Sequence, residues 1–320
     1  MTGRRENLVG FAIALLSATM FAVNGTVSKL VMGHGLSSLR LVEIRCTAAA
    51  VVLVVYVLLR RPGSLAIDPR EAAALLVLGV LGIAVVQWLY FVAIRRLPVG
   101  IGLLVEFTAP LLVALWVRFV RREPVRRRIW AALALSLGGL ALVARVWSGL
   151  TLDGLGLLAG AGAATSLAAY YLLAERGLGR RDPVSLTAWA FVAAGAFWSV
   201  LLPWWTFPFG ALGRDVPVPA GATAPLWLLV GWVVLLGTVL PFALVLFVVR
   251  LIGAPRAGLL GTSEPVIAGV VAWLALGEVL APVQIAGCAV VFTGILLAVS
   301  ARPELPTPDA PVRASANVAG

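Results

Sequence analysis

Two halves of this chain echo each other at a fixed offset of 155 residues, and the echo runs through segments apolar enough to cross a bilayer. Leu81-Gly82 returns as Leu236-Gly237, Arg95 as Arg250, Pro110 as Pro265, Glu123 as Glu278 and Gly139 as Gly294. Apolar runs predict spans at about 8–32, 38–59, 72–94, 99–120, 129–147, 154–175, 184–206, 225–250, 256–276 and 281–300. Five fall in each half, and an odd number obliges the second half to enter the membrane upside down. The sequence therefore predicts an all-α polytopic membrane protein with ten transmembrane helices, built as two inverted five-helix repeats. Residues 1–148 form the first repeat and 149–300 the second, with a disordered, Pro- and Ala-rich cytoplasmic tail at 301–320. Inverted repeats place a pathway at the interface between halves.

Composition excludes a soluble domain. Of 320 residues, 61% are hydrophobic and 12% charged, and mean hydropathy is +1.03. The net charge of +11 sits mostly in short clusters between apolar runs, as topology requires, with no aromatic-interleaved basic stripe for nucleic acid. Cys46 and Cys288 lie inside apolar segments as packing residues, with no disulfide expected. His34 is the single histidine, so no metal site or cofactor is expected. The first apolar run is long enough to span and shows no signal-peptide cleavage site. The Pro-rich connection 207–224 reads as an irregular surface loop.

Arginine counting sets the expected orientation. With a cytoplasmic N-terminus, fifteen arginines fall inside: 4, 5, 60, 61, 70, 121, 122, 126, 127, 128, 176, 180, 181, 302 and 313. Six are assigned outside: Arg95, Arg96, Arg145, Arg214, Arg250 and Arg256. Both termini are thus expected in the cytoplasm, with the chain in the plasma membrane. Trp130, Trp147, Trp204 and Trp205 fall near span ends, where amphipathic rings anchor.

Two stretches carry a family resemblance. Leu97 to Pro124 (LPVGIGLLVEFTAPLLVALWVRFVRREP) and Ile252 to Glu278 (IGAPRAGLLGTSEPVIAGVVAWLALGE) each pair small residues opening a helix with a mid-helix proline and a glutamate at the helix end. They resemble the end-of-repeat signature of the EamA family of the drug/metabolite transporter superfamily. The run Val105-Glu106-Phe107-Thr108-Ala109-Pro110 is similar to threonine/homoserine exporter-type members. The resemblance covers about 8–300. It implies a secondary carrier of a small organic solute, an amino acid or related metabolite, moved outward by alternating access. Protons are a candidate coupling ion, and a homodimer is compatible with it.

Ionisable groups inside spans are costly, about 2.5–3.5 kcal/mol each at a helix centre, and should face protein or water. Lys29, Glu43, Arg45, Glu106 and Glu264 are such groups, and all five are expected in the outer half of the bilayer. One reading makes them a structural ion-pair network. Another has Glu106 or Glu264 bind a substrate amine or a proton, and Arg45 a substrate carboxylate. Glu264 aligns with Ala109 rather than Glu106, so the glutamates are not repeat mates. Ser17, Asn24 and Ser28 share a face of span 1. Gln87, Trp88 and Tyr90 mark span 3, and Thr165 and Tyr170 mark span 6. Asn24 and Gln87 are the preferred pocket-lining residues, with Trp88 and Tyr170 as aromatic walls. Pro110, Pro241 and Pro265 break helices where a cavity or polar neighbour satisfies the backbone. Glu123 and Glu278 read as structural, pairing with Arg126 to Arg128 or capping.

A membrane-embedded enzyme or lipid-handling protein is the rival class. It would need clustered histidines or paired aspartates, whereas Asp68, Asp153, Asp182 and Asp215 are scattered over loops. No nucleotide-binding loop is present to couple ATP, so an enzyme is not expected. The topology predicts that a cysteine placed at Gly3 resists a membrane-impermeant thiol reagent in intact cells, and that one at Ala220 is labelled. The reverse pattern would refute it.

Overall fold

The computed structural model describes residues 2–97, 99–146, 153–218, 222–267 and 281–300. The protein is an α-helical membrane protein, with one two-stranded hairpin among the described residues. In order come α1 (Thr2–Gly33), α2 (Ser38–Arg60), α3 (Pro69–Gly79), α4 (Val86–Arg96), α5 (Val99–Glu106), α6 (Ala109–Phe119), α7 (Arg127–Ala144), α8 (Gly154–Leu178) and α9 (Pro183–Leu201). The antiparallel pair β1 (Asp215–Val218) and β2 (Ala222–Pro225) follows. Then come α10 (Leu226–Val234), α11 (Leu240–Ile252), α12 (Ala254–Gly261), a helical run at 263–267, and α13 (Pro282–Ser300). One-turn π-helical segments, Val80–Val85 and Leu235–Val239, join α3 to α4 and α10 to α11, and their starts are 155 residues apart.

Seven stretches among the described residues are long and apolar enough to cross a membrane: Leu8–Gly33, Ser38–Arg60, Pro69–Ala93, Gly102–Phe119, Gly154–Leu178, Pro183–Leu201 and Leu226–Ile252. Pro282–Leu297 is a shorter apolar helix. The seventh expected span ends earlier than expected, at Leu201, where Leu202 turns extended ahead of Pro203. Much of the expected ninth span lies outside the described residues, as do Trp147 and Glu278.

Caps at the water-facing ends start these helices. Ser37 accepts from the Arg40 amide, Asp68 from Arg70, Asp153 from Gly156 at 2.7 Å, and Asp182 from Val184 and Ser185. Three of the four scattered aspartates are therefore N-caps, each worth about 1 kcal/mol.

Packing pairs fix the bundle. α2 lies antiparallel to α9, with Gly195 against Thr47. α1 packs on α11, α4 on α8, and α7 on α13. An arginine clasps each end of the α2–α9 pair. At one end Arg40 donates to the Pro203 carbonyl at 3.3 Å and to Thr206, and pairs with buried Glu43 at 2.6 Å. At the other, Arg181 donates to the Ser64 and Ala66 carbonyls at 2.7 and 2.5 Å and pairs with Glu71 at 2.6 Å. Each arginine thus satisfies carbonyls just beyond the partner helix's C-terminus.

The connection at 207–224 is not an irregular loop. A 3-10 turn, Phe209–Gly213, leads into the hairpin, whose Val216 is fully buried beside Val31, Leu36, Leu41 and Leu226. Apolar Val216 flanked by exposed Asp215 and Pro217 is the period-2 signal of a half-buried strand. The Pro and Gly content masked it in the sequence. The hairpin caps the ends of α1, α2 and α10.

The chain direction corrects a second expectation. α12 does not start at the same end as α5. The Ala254 amide donates to Glu175 near the C-terminus of α8, and Glu175 also pairs with Arg121, which follows α6, at 2.5 Å. α5 starts at the opposite end, where Leu97 abuts Gly156 at the start of α8. Arg250 and Arg256 therefore join the arginine-rich end. Of the six arginines expected outside, that leaves Arg95, Arg96, Arg145 and Arg214.

Close approach of backbones holds α7 to α13, because apolar side chains gain little from leaving lipid. A Cβ on Gly139 would lie 2.7 Å from the Gly287 carbonyl oxygen and 2.7 Å from Val291, whereas Gly138 has nothing within 4 Å. Gly139→Val should cost about 1–3 kcal/mol and lower the melting temperature in detergent. Gly138→Val should leave melting near wild type, and equal melting of the two variants would contradict this packing.

Candidate functional site

The site is built from interrupted helices. Pro241 has no N–H to offer the Gly237 carbonyl four residues earlier. Arg45, on α2 and only 8% exposed, reaches across and donates from Nη2 to that carbonyl at 3.4 Å and from Nε to Thr238 Oγ1 at 3.1 Å. Thr238 Oγ1 donates in turn to the Val233 carbonyl at 2.8 Å, and Ser17 Oγ donates to the Pro241 carbonyl at 3.1 Å. The break in α10–α11 thus fixes the guanidinium deep in the bundle.

Two further breaks lie 155 residues apart. Between α5 and α6, Thr108 Oγ1 donates to the Val105 carbonyl at 2.6 Å, two residues before Pro110. Between α12 and the run at 263–267, Ser263 Oγ donates to the Leu260 carbonyl at 2.7 Å, two residues before Pro265. Each proline also denies a donor to a carbonyl in the turn before it: those of Glu106 and Gly261.

Glu106 and Glu264 sit at these breaks. Glu106 enters from the hairpin end and Glu264 from the arginine-rich end, so both reach the middle of the bundle. The expectation that all five intramembrane charges share the outer half is therefore wrong for Glu264, because α12 runs opposite to α5. The two glutamates interact electrostatically with each other and with Tyr90 and Tyr171, and Arg45 acts on Glu264. No direct Arg45–Glu264 ion pair forms among the described residues. Both glutamates are half-buried, whereas Arg45 and Glu43 are buried.

The other expected site residues divide. Asn24 is buried, takes the Ser28 hydroxyl at 3.5 Å, and fills the space beside Gly237 where a Cβ would clash. Tyr170 occupies the corresponding place beside Gly82 and stacks edge-on with Tyr171 and Phe242. Asn24 and Tyr170 therefore wedge the two π-segments, one each. Gln87 is buried with neither amide atom partnered among the described residues. Trp88, next to it, is 44% exposed and turned off that face, and Thr165 is exposed and bonded to its own helix. Glu43 belongs to the Arg40 clasp rather than the central group. The Lys29 side chain lies outside the described residues. Glu123 is exposed on the turn after α6.

Sequence reasoning missed Tyr171, and marked Tyr90 on span 3 without choosing it for the pocket. Tyr171, not Tyr170, carries its hydroxyl toward Gly261 and the glutamates, 3.2 Å from where a Gly261 Cβ would stand. Adjacent tyrosines differ by ~100° around a helix, and which one faces the centre depends on where α8 lies among its neighbours.

The sequence pattern of the EamA-like transporter family matches residues 8–145 and again 154–300. The threonine/homoserine exporter RhtA of Escherichia coli (strain K12) is 29% identical over 288 residues, 88% of each chain. RhtA of Salmonella typhimurium (strain SL1344) is 30% identical over 253 residues, 78% of this chain and 79% of that one. A solved protein structure superposes with a TM-score of 0.72 at 18% identity, covering 91% of this chain and 96% of the other, and shares the fold.

Glu106 should matter more to transport than Glu123, since only Glu106 lies in the central group. Glu106→Gln keeps the shape and removes the charge. It should insert normally and lose at least about tenfold in transport, the scale of one lost charged hydrogen bond, while Glu123→Gln stays near wild type. Transport and detergent melting both unchanged in Glu106→Gln would remove Glu106 from the site.

Proposed function

Because the chain belongs to the EamA-like transporter family, we propose that it exports a small amino acid or related metabolite across the plasma membrane by alternating access. In this reading ten helices form two inverted repeats, 1–148 and 149–300, with both termini cytoplasmic. The paired breaks at Thr108-Ala109-Pro110 and Ser263-Glu264-Pro265, entered from opposite ends, support it. Half-helices that meet at mid-membrane expose backbone carbonyls and side-chain charge to a solute.

The observation that carries the proposal is the fixing of buried Arg45 at the break before Pro241, with Glu264 and Glu106 at the two further breaks that meet it at mid-bundle. Charges of both signs at the centre of an apolar bundle are expensive unless something uses them. The relatives' printed substrates, threonine and homoserine, carry charges of both signs. Two carboxylates at mid-bundle also admit a proton as coupling ion.

The test is counterflow and efflux of a radiolabelled amino-acid panel in proteoliposomes, with and without an imposed pH gradient. Threonine or homoserine should move well above empty liposomes. If a proton is coupled, a pH gradient should drive accumulation against the solute gradient. No movement of any panel member would reject the amino-acid reading.

A further inference from the structure

Arg45 is held by one edge only. A guanidinium offers two bidentate edges: a side edge of Nε and Nη2, and an end edge of Nη1 and Nη2. The side edge is committed to Thr238 Oγ1 and the Gly237 carbonyl. The end edge has no partner among the described residues, although the side chain is more than nine-tenths buried. A charged donor edge left open on a side chain this buried is costly and calls for a partner.

Gln87 is a second, independent sign. It lies one turn from Tyr90 on α4, which packs on α2, and both of its amide atoms are buried without a partner among the described residues. Across the bundle, Glu264 and Glu106 stand at the breaks before Pro265 and Pro110, entered from opposite ends, and neither forms an ion pair with Arg45 among the described residues. The protein thus holds a cation and a carboxylate apart, rather than closing them into a salt bridge as Arg40 and Glu43 do.

Resting on the transport reading above, we infer that the end edge of Arg45 is the α-carboxylate subsite of an α-amino acid and that Glu264, with Glu106, takes its ammonium group. The planar fork matches a carboxylate bidentately, and it is pre-aimed because the helix break fixes the other edge. The substrate would bridge the two halves, with α2 and α4 on one side and the run at 263–267 on the other. The required ligand is a zwitterion: an amine lacking the carboxylate leaves Arg45 unpaired, and an acylated amine leaves the glutamates unpaired. A site built on buried polar groups rejects analogues lacking those groups far more strongly than an apolar pocket does.

The test is competition against radiolabelled L-threonine in proteoliposomes of the intact protein. L-threonine amide and N-acetyl-L-threonine should each compete at least about tenfold more weakly than L-threonine. Arg45→Gln should collapse the discrimination against the amide to within about twofold while keeping that against the N-acetyl compound, and Glu264→Gln should do the reverse. If Arg45→Gln does not fold, Arg45→Lys keeps the charge without the fork and should still lose most discrimination against the amide. Wild-type protein that carries threonine but accepts the amide equally well overturns the subsite and leaves the transport reading intact. So does Arg45→Gln or Arg45→Lys with full discrimination. Failure of the wild type to carry threonine overturns the substrate reading instead.

Discussion

Every backbone carbonyl buried in hydrocarbon must find a donor, and this constraint organises the protein. An uninterrupted helix meets it by itself. This chain interrupts its helices at Pro110, Pro241 and Pro265, and a side chain donates to a carbonyl at each break. Thr108 and Ser263 turn their hydroxyls back onto their own helices, whereas at Gly237 the repair comes from Arg45 on another helix. That last choice ties α2 to α10–α11 and fixes a charge at mid-membrane. A break that needs a distant cation therefore also creates a site.

The scaffold around this centre is held by a different chemistry at each level. At the ends, arginines serve as caps for carbonyls that face water, and Arg40 and Arg181 do so at opposite ends of the α2–α9 pair. Exposed ion pairs add little to stability, but Arg40–Glu43 is largely buried and its geometry is fixed. Within the apolar depth, small residues permit close contact, as at Gly139 with Gly287. Between these levels Phe242 meets Phe21, Tyr170 and Phe191 edge-on, at 5.1 to 6.0 Å, so the segment after Pro241 is gripped on three sides.

Glu175 links three chain segments at the arginine-rich end by accepting from both Arg121 and the Ala254 amide. The junction joins the end of α6, the end of α8 and the start of α12. It closes that end around α8, which carries Tyr171, and around the helices that adjoin the breaks at Glu106 and Glu264. Position along the bundle thus separates ionic closure from the central charges.

The sequence by itself determined the membrane class, most span positions and the 155-residue echo, because hydropathy and proline spacing are local properties of the chain. It also named Arg45, Glu106 and Glu264, because a charge in an apolar run is conspicuous wherever the helix lies. It did not determine the hairpin, whose Pro and Gly content hid the buried alternation around Val216. Nor did it settle the depth of Glu264, which depends on the direction of α12, or the choice of Tyr171 over Tyr170. Those were decided by tertiary structure. Which face of α8 meets the glutamates, and which helix supplies the donor for the Gly237 carbonyl, are relations between segments nearly 200 residues apart in sequence for Arg45 and Thr238 (|i−j| of 193). No local pattern encodes such relations.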